Sequence, residues 1–457
     1  MASNARRGAR IALPPGAVVS RLTLWIDGEE REAAFGGRSQ VRQAYESVVR
    51  RRRDPVLVGT CGPDRIQMQC YPVPPDGGEM KVRIGFTVPL VVADDGASGR
   101  LDAPAIIERN FHMPRATLEL PETQILPLDP PLAEACWARD SRADPPAIVR
   151  QTATLGPAWR PERVAVVVDD SRSMRQAIAS ASAALAELPD GIEVRLWTAG
   201  DTLRPAPPIV FAAPADEAAR KRLARALDPD ACQGGRCNLR ALQAAWDDLA
   251  GDPRPAALVW VHGPQPYPLA SADSLGRRLE RSTRDIRFYA VQVVPGTCRI
   301  SEALDGVRGI RTLAPNEALA DAGAPLRRLA GSWVEGASEW QIVRSRAEEA
   351  DVAGMREAGE HLVRQWTVEE VRRRLVSGDA VQREEARRLA LAWHLVTPVS
   401  SAVVLETQQQ YQEAGLEPVE ASSVPTVPEP SFWISILLAL AVLAAWRLRE
   451  RRTSRGA

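Results

Sequence analysis

Lysine is almost missing from this chain, which carries it only at Lys81 and Lys221, so the basic charge is borne by arginine. Its 58 basic and 58 acidic residues cancel. A zero balance supplies no global field to recruit nucleic acid, and any argument from charge has to be local. Histidine is scarce as well. His112, His262, His361 and His394 lie far apart, and none of the cysteines (Cys61, Cys70, Cys136, Cys232, Cys237, Cys298) belongs to a Cys-x-x-Cys pair. Zinc ribbons and fingers need such spacings and are excluded. Free buried thiols are expected, although Cys61/Cys70 and Cys232/Cys237 would each close a small loop in an exported domain. The chain shows no Gly-x-Ser-x-Gly elbow, no phosphate-binding loop and no Ser/His/Asp set at workable spacing, so it is not expected to be an enzyme. No secretory signal opens it, since Met1 to Arg10 is polar and holds three arginines.

What the chain does contain is a strand, a turn and a helix around residue 169. Val164 to Val168 is a five-residue apolar run, mostly β-branched, which suits a strand buried on both faces of a parallel sheet. Asp169, Ser171 and Ser173 follow, and Ile178, Ala181, Leu185 and Leu188 then recur at helical spacing. That order places the turn in the crevice where open α/β sheets bind ligands. One carboxylate and two hydroxyls are hard donors, suited to Mg²⁺ or Mn²⁺. The same residues also suit a helix start capped by Asp169 or Ser171.

Asp169, Ser171 and Ser173 resemble the metal-ion-dependent adhesion site of von Willebrand factor A (vWA) domains. The resemblance implies a Rossmann-like α/β domain over 161–332. Strands are expected at 164–168, 192–198, 208–212, 256–261, 286–293 and 310–313, with helices at 175–188, 216–227, 238–250, 272–282 and 316–330. It also implies two further metal-binding loops, and here both depart from the pattern. Gln233-Gly234-Gly235-Arg236-Cys237-Asn238 has no Thr, and His262 stands where an Asp is expected. Both changes remove an oxygen donor, so ordinary divalent binding is expected to be lost. Asp169 would then pair with Arg236 or cap the helix.

Ahead of this region, Pro/Gly turns separate short strands at 11–26, near Phe35, at 54–58, 66–74 and 81–88, with a helix over Ser39 to Val49. Arg50 to Arg53 reads as the solvated end of that helix. Leu13-Pro14, the Tyr45 helix, Asp54-Pro55, Tyr71-Pro72-Val73-Pro74 and Val82-Arg83-Ile84 together resemble the VIT domain, named from vault protein and inter-α-trypsin inhibitor heavy chains. The resemblance covers 8–92 and implies a partial β-sandwich whose first strands are missing, as in a chain shortened at its N terminus. Residues 93–155 read as a Pro-rich connection that extends the sandwich. In 333–417, Thr367 and Glu370 suggest a capping box opening a helix to Leu375, a second helix spans Val381 to His394, and Leu395 to Glu406 returns as a strand to the sandwich.

The tail opens on a Pro-rich stalk, Val424 to Pro430, followed by fifteen uncharged residues from Phe432 to Trp446 and then Arg447, Arg449, Arg451, Arg452 and Arg455. Edge tryptophans and a basic flank suit a single transmembrane helix with a cytoplasmic end. Pro428-Glu429-Pro430, the apolar run and the Arg cluster resemble the PEP-CTERM sorting signal of Gram-negative bacteria, which implies processing by an exosortase. The expected fold class is thus α/β plus β, with a C-terminal helical segment and one membrane helix. The expected role is a non-enzymatic binding scaffold held at the bacterial inner membrane, its body periplasmic, with an envelope protein as partner. A tail-anchored accessory protein facing the cytosol is the alternative.

Overall fold

The computed structural model describes residues 7–26, 28–50, 55–71, 79–111, 123–200, 203–205, 209–210, 217–227, 229–232, 234–235, 237–313, 321–376 and 378–419. The stalk, the apolar run and the Arg cluster of the tail therefore lie outside the described residues. So do Gln233 and Arg236. Among the described residues no helix is long and apolar enough to cross a membrane.

The N-terminal unit is a sandwich of a six-stranded and a three-stranded sheet. In the larger sheet the order is Ala105–Arg109, Arg7–Ala12, Arg65–Cys70, Val56–Thr60, Ser400–Val404 and Ala34–Gly37. The smaller one runs Glu29–Glu32, Val18–Ile26, Val82–Thr87. Val19, Leu22, Leu24, Val56, Val58, Ile66, Ala402 and Val404 fill the space between them. On the outer face the helix Arg38–Arg50 lays Val41, Tyr45 and Val48 against Val403 and Leu405. Ser400–Val404 is thus covered on both sides, which is why it is a continuous apolar run and not an alternating one.

The larger sheet draws strands from outside residues 8–92. Both sides of Arg7–Ala12 are paired, one by Arg65–Cys70 and the other by Ala105–Arg109 from the connecting region. The returning strand was expected to join the sandwich, and it enters between Val56–Thr60 and Ala34–Gly37, pairing antiparallel with each.

The α/β unit has the strand order Leu203–Pro205, Glu193–Ala199, Arg163–Asp169, Ala256–His262, Ile286–Gln292, Ile310–Leu313. The last five of these run parallel. Numbered among themselves these six are 3-2-1-4-5-6, with Ile209–Val210 pairing separately on Glu193–Ala199, so the order reverses between the strand ending at Asp169 and the strand ending at His262. Val164, Val166 and Val168 face Ile178 and Leu185, while Ala165 and Val167 face Leu242, Trp246 and Leu249. Most expected strands and helices appear with small shifts, but of the helix expected at 316–330 the described part is Ala324–Gly331. Of the expected strand 208–212 the described part is Ile209–Val210, and helix 175–188 shortens to Ile178–Leu185, preceded by a 3₁₀ turn at Arg172–Met174.

This unit is an insertion. The chain leaves the β framework on the strand Ala147–Pro157 and re-enters on Ser338–Ala347, and these two pair antiparallel along ten positions. The segment 333–417 therefore opens with a long strand and not with helix. The capping box read at Thr367 is also corrected. The helix Glu360–Leu375 begins earlier, after Gly359, because Leu362, Val363 and Trp366 pack with Ala138, Val149 and Trp393 and carry the helix back by two turns. The second helix, Ala380–Ala392, lies where it was expected.

Candidate functional site

The carboxyl ends of the two central strands bring Asp169 against three loops. Its Oδ1 accepts from Ser171 N at 3.2 Å and from Asn238 Nδ2 at 3.4 Å. Its Oδ2 accepts from Ser171 Oγ at 3.1 Å, Gly263 N at 3.2 Å and Gln265 Nε2 at 3.2 Å. Five donors converge on one buried carboxylate. Desolvation raises its pKa and the donors oppose that rise, those of Gly263, Asn238 and Ser171 among them.

Ser171 Oγ lies 2.8 Å from Ser173 Oγ, so the structure does bring together the three residues of the Asp-x-Ser-x-Ser pattern. The packing is tight, for a Cβ at Gly263 would stand 3.1 Å from Ser173 Oγ and 3.2 Å from Met174 Sδ. His262 is not part of this group. It stacks on Trp260 with ring centroids 3.7 Å apart, and its Nδ1 lies 2.7 Å from Gly263 O. Burial, with Arg65 adding to it, pushes the imidazole down to about 3, so it is neutral at ordinary pH.

Two residues not singled out in the sequence hold the site together. Gln265 donates to Asp169 and accepts from Asn238 N at 3.0 Å. Asn238 sits at the start of the helix Leu239–Ala250, and its Oδ1 accepts from Trp260 Nε1 at 2.9 Å. Asn238 follows a Gly-Gly turn and precedes an amphipathic helix, a signal that marks a helix start. Nothing local marks Gln265, since its role depends on a fold that brings residue 265 to residue 169.

Mg²⁺ or Mn²⁺ does not fit this donor set. Gly263, Gln265 and Asn238 turn N–H groups toward the carboxylate, where a cation would require oxygens. A single charge and two hydroxyls are also too little to offset dehydration of a divalent ion. The carboxylate binds Ser171 N–H in a tight turn ahead of the helix start, and neither Asp169 nor Ser171 makes the expected side-chain cap, while Arg236 lies outside the described residues.

Comparison with known proteins agrees for the N-terminal unit. Residues 10–86 match the family model described as Vault protein inter-alpha-trypsin domain. No curated protein matches the chain. Similar solved structures include a von Willebrand factor type A protein from Catenulispora acidiphila, at 15% identity and TM-score 0.30, over 44% of this chain and 46% of that one. The ArnB paralog VWA2 from Sulfolobus acidocaldarius is similar at 9% identity and TM-score 0.30, over 57% and 84%. Manganese-loaded TRAP protein of Plasmodium vivax is similar at 10% identity and TM-score 0.27, over 43% and 82%. The chain spans less than half the length of the first of these. At such scores the assignment of the α/β unit rests on its own strand order.

Proposed function

We propose that this chain is a non-enzymatic scaffold for protein–protein interaction, tethered at a bacterial membrane by its tail. The observation that carries the reading is the loop Pro266 to Ala270 at the mouth of the switch-point crevice. Tyr267 is 83% exposed and Leu269 74%, two large apolar side chains presented two positions apart on one loop. The base of the loop is fixed, because Gln265 N donates to Thr297 O and Arg299 N to Gln265 O, besides the bonds of the Gln265 side chain. Pro264, Pro266 and Pro268 stiffen the backbone between them. Rigid presentation of exposed Tyr and Leu lowers the ordering cost of binding. Asp169 is committed to five donors and offers no free base for catalysis.

The tether is read from the sequence. The uncharged run 432–446 followed by Arg447, Arg449, Arg451 and Arg452 suits a single pass with the basic end in the cytoplasm and the body in the periplasm. Pro428-Glu429-Pro430 would make it an exosortase substrate. One observation favours the cytosol-facing alternative. Cys61, Cys70, Cys136, Cys237 and Cys298 are free thiols, which suits a reducing compartment.

Deleting 431–457 should move the protein from the membrane fraction to the soluble one. A photo-crosslinking residue at Tyr267 should give a discrete adduct in the source cells, against none from Ile125, which is equally exposed elsewhere. Retention of the deletion variant in membranes refutes the tether, and equal labelling from both positions refutes the loop as the contact. Cys237 is the one half-buried thiol, and its labelling by a membrane-impermeant reagent in intact cells decides between periplasm and cytosol.

A further inference from the structure

The turn of the sandwich hairpin between Val56–Thr60 and Arg65–Cys70 docks on the carboxyl ends of the last two parallel strands. Thr312 N and Oγ1 donate to Asp64 Oδ2 at 3.3 Å and Pro63 O at 2.5 Å. Gly62, at φ +134°, lies so close that a Cβ would stand 2.9 Å from Ser301 O. Nearly every cation at this junction has its acid. Arg10 meets Glu108 and Glu302, Arg38 meets Asp305, and Arg372 meets Asp64.

Arg65 is the exception. It is 3% exposed, its Nη1 donates to the amide Oε1 of Gln292 at 2.6 Å, and among the described residues nothing accepts from Nε or Nη2. Gln292 is a neutral partner, and its own Nε2 is held by Val294 O and Gly296 O, both at 3.0 Å. The nearby thiols bring no counter-charge. Burial pushes Cys61 up to about 12 and Cys298 above the usual thiol value, so both stay neutral. A guanidinium enclosed with one amide, its neighbouring carboxylate Asp64 already paired with Arg372 and the cation Arg10 acting against it, carries a large desolvation penalty that something must offset.

We propose that the Nε/Nη2 edge of Arg65 receives a small monovalent anion, of chloride or formate size, enclosed between the sandwich and the α/β unit. That edge presents two parallel N–H groups, an arrangement that holds a carboxylate through two oxygens or a halide through one atom. A water molecule would satisfy the N–H groups and leave the charge in place, whereas an anion answers both. Arg65 comes from one unit and Gln292 and Cys298 from the other, so the anion binds the docked arrangement and stabilises it by mass action.

The test is thermal unfolding of the full chain in detergent, in sodium chloride, formate and gluconate at equal ionic strength, with Arg65→Met beside it. Gluconate is too large to be enclosed. Chloride or formate should raise Tm saturably by about 2 °C or more over gluconate, and Arg65→Met should not respond. Equal melts in the three salts, or a response that survives in Arg65→Met, overturn the proposal. Should Arg65→Met fail to fold, bromide-soaked crystals of the wild type decide. An anomalous peak within hydrogen-bond distance of Arg65 Nε or Nη2 is expected, and no peak there overturns the assignment.

Discussion

Replacing Asp169 by alanine separates a structural carboxylate from a metal ligand. Of its five donors, Asn238 Nδ2 keeps Ala199 O and Ser171 Oγ keeps Ser173 Oγ. Ser171 N, Gly263 N and Gln265 Nε2 lose their acceptor. Three stranded buried donors at about 1–3 kcal/mol each would cost roughly 3–9 kcal/mol. Removing a desolvated carboxylate returns several kcal/mol of that, so Asp169→Ala should destabilise by about 3 kcal/mol. Denaturant unfolding followed by tryptophan fluorescence measures it, with and without millimolar Mg²⁺ or Mn²⁺. Both proteins should ignore the metals. The sign of the pH dependence follows from the raised pKa. A carboxyl raised in the folded state contributes fully below its unfolded pKa and loses that contribution as pH rises through the folded value. The gap between wild type and variant should therefore narrow as pH rises. Micromolar Mn²⁺ stabilising the wild type and not Asp169→Ala would refute the reasoning and restore a metal site, and so would equal stability of the two proteins.

Three further outcomes are expected. Residues 8–150 alone should fail to melt cooperatively, since Val56–Thr60 and Ala34–Gly37 lose the strand between them; a cooperative, reversible calorimetric transition would show that strand to be dispensable. His262 should take no proton above about pH 3 in the fold, whereas the unfolded chain takes one below 6.5, so stability should fall by about 1.4 kcal/mol per pH unit on acidification below 6.5. His262→Phe, which keeps a ring on Trp260, should flatten that limb of the denaturation midpoint between pH 4 and 6.5. Gly62→Ala combines a strained φ with a backbone clash at Ser301 and should undock the hairpin turn, seen as faster amide exchange in 296–313 with the sandwich core still protected.

The α/β unit was legible because its strands are apolar on both faces, so Val164 to Val168 and Ala257 to Val261 announce themselves without a partner. The helix on Tyr45 and the returning strand were legible for the same reason, each carrying its own pattern. Ser338–Ala347 was not. It is an edge strand with half its residues exposed, and its hydrogen bonds go to a segment about 190 residues earlier, so neither apolar run nor turn marks it. Asp169, Ser171 and Ser173 could be read as a group, but their chemistry could not. A motif names the acceptor, and the fold chose N–H donors from 238, 263 and 265 to surround it. Arg65 gave no sign at all, because its burial is created by the insertion.

The strand Ser400–Val404 also sets a clock on biosynthesis. Its two neighbours in the sheet, Ala34–Gly37 and Val56–Thr60, leave the ribosome far ahead of it. At roughly 5–20 residues per second, the intervening stretch of about 340 residues keeps those edges waiting on the order of 20–70 s. The N-terminal unit must remain unfinished for all that time while the α/β insertion, whose strands and helices are contiguous in the chain, has what it needs to fold at once. A nascent chain of this design offers open edges first and closes them last, so its assembly is ordered from the middle outward.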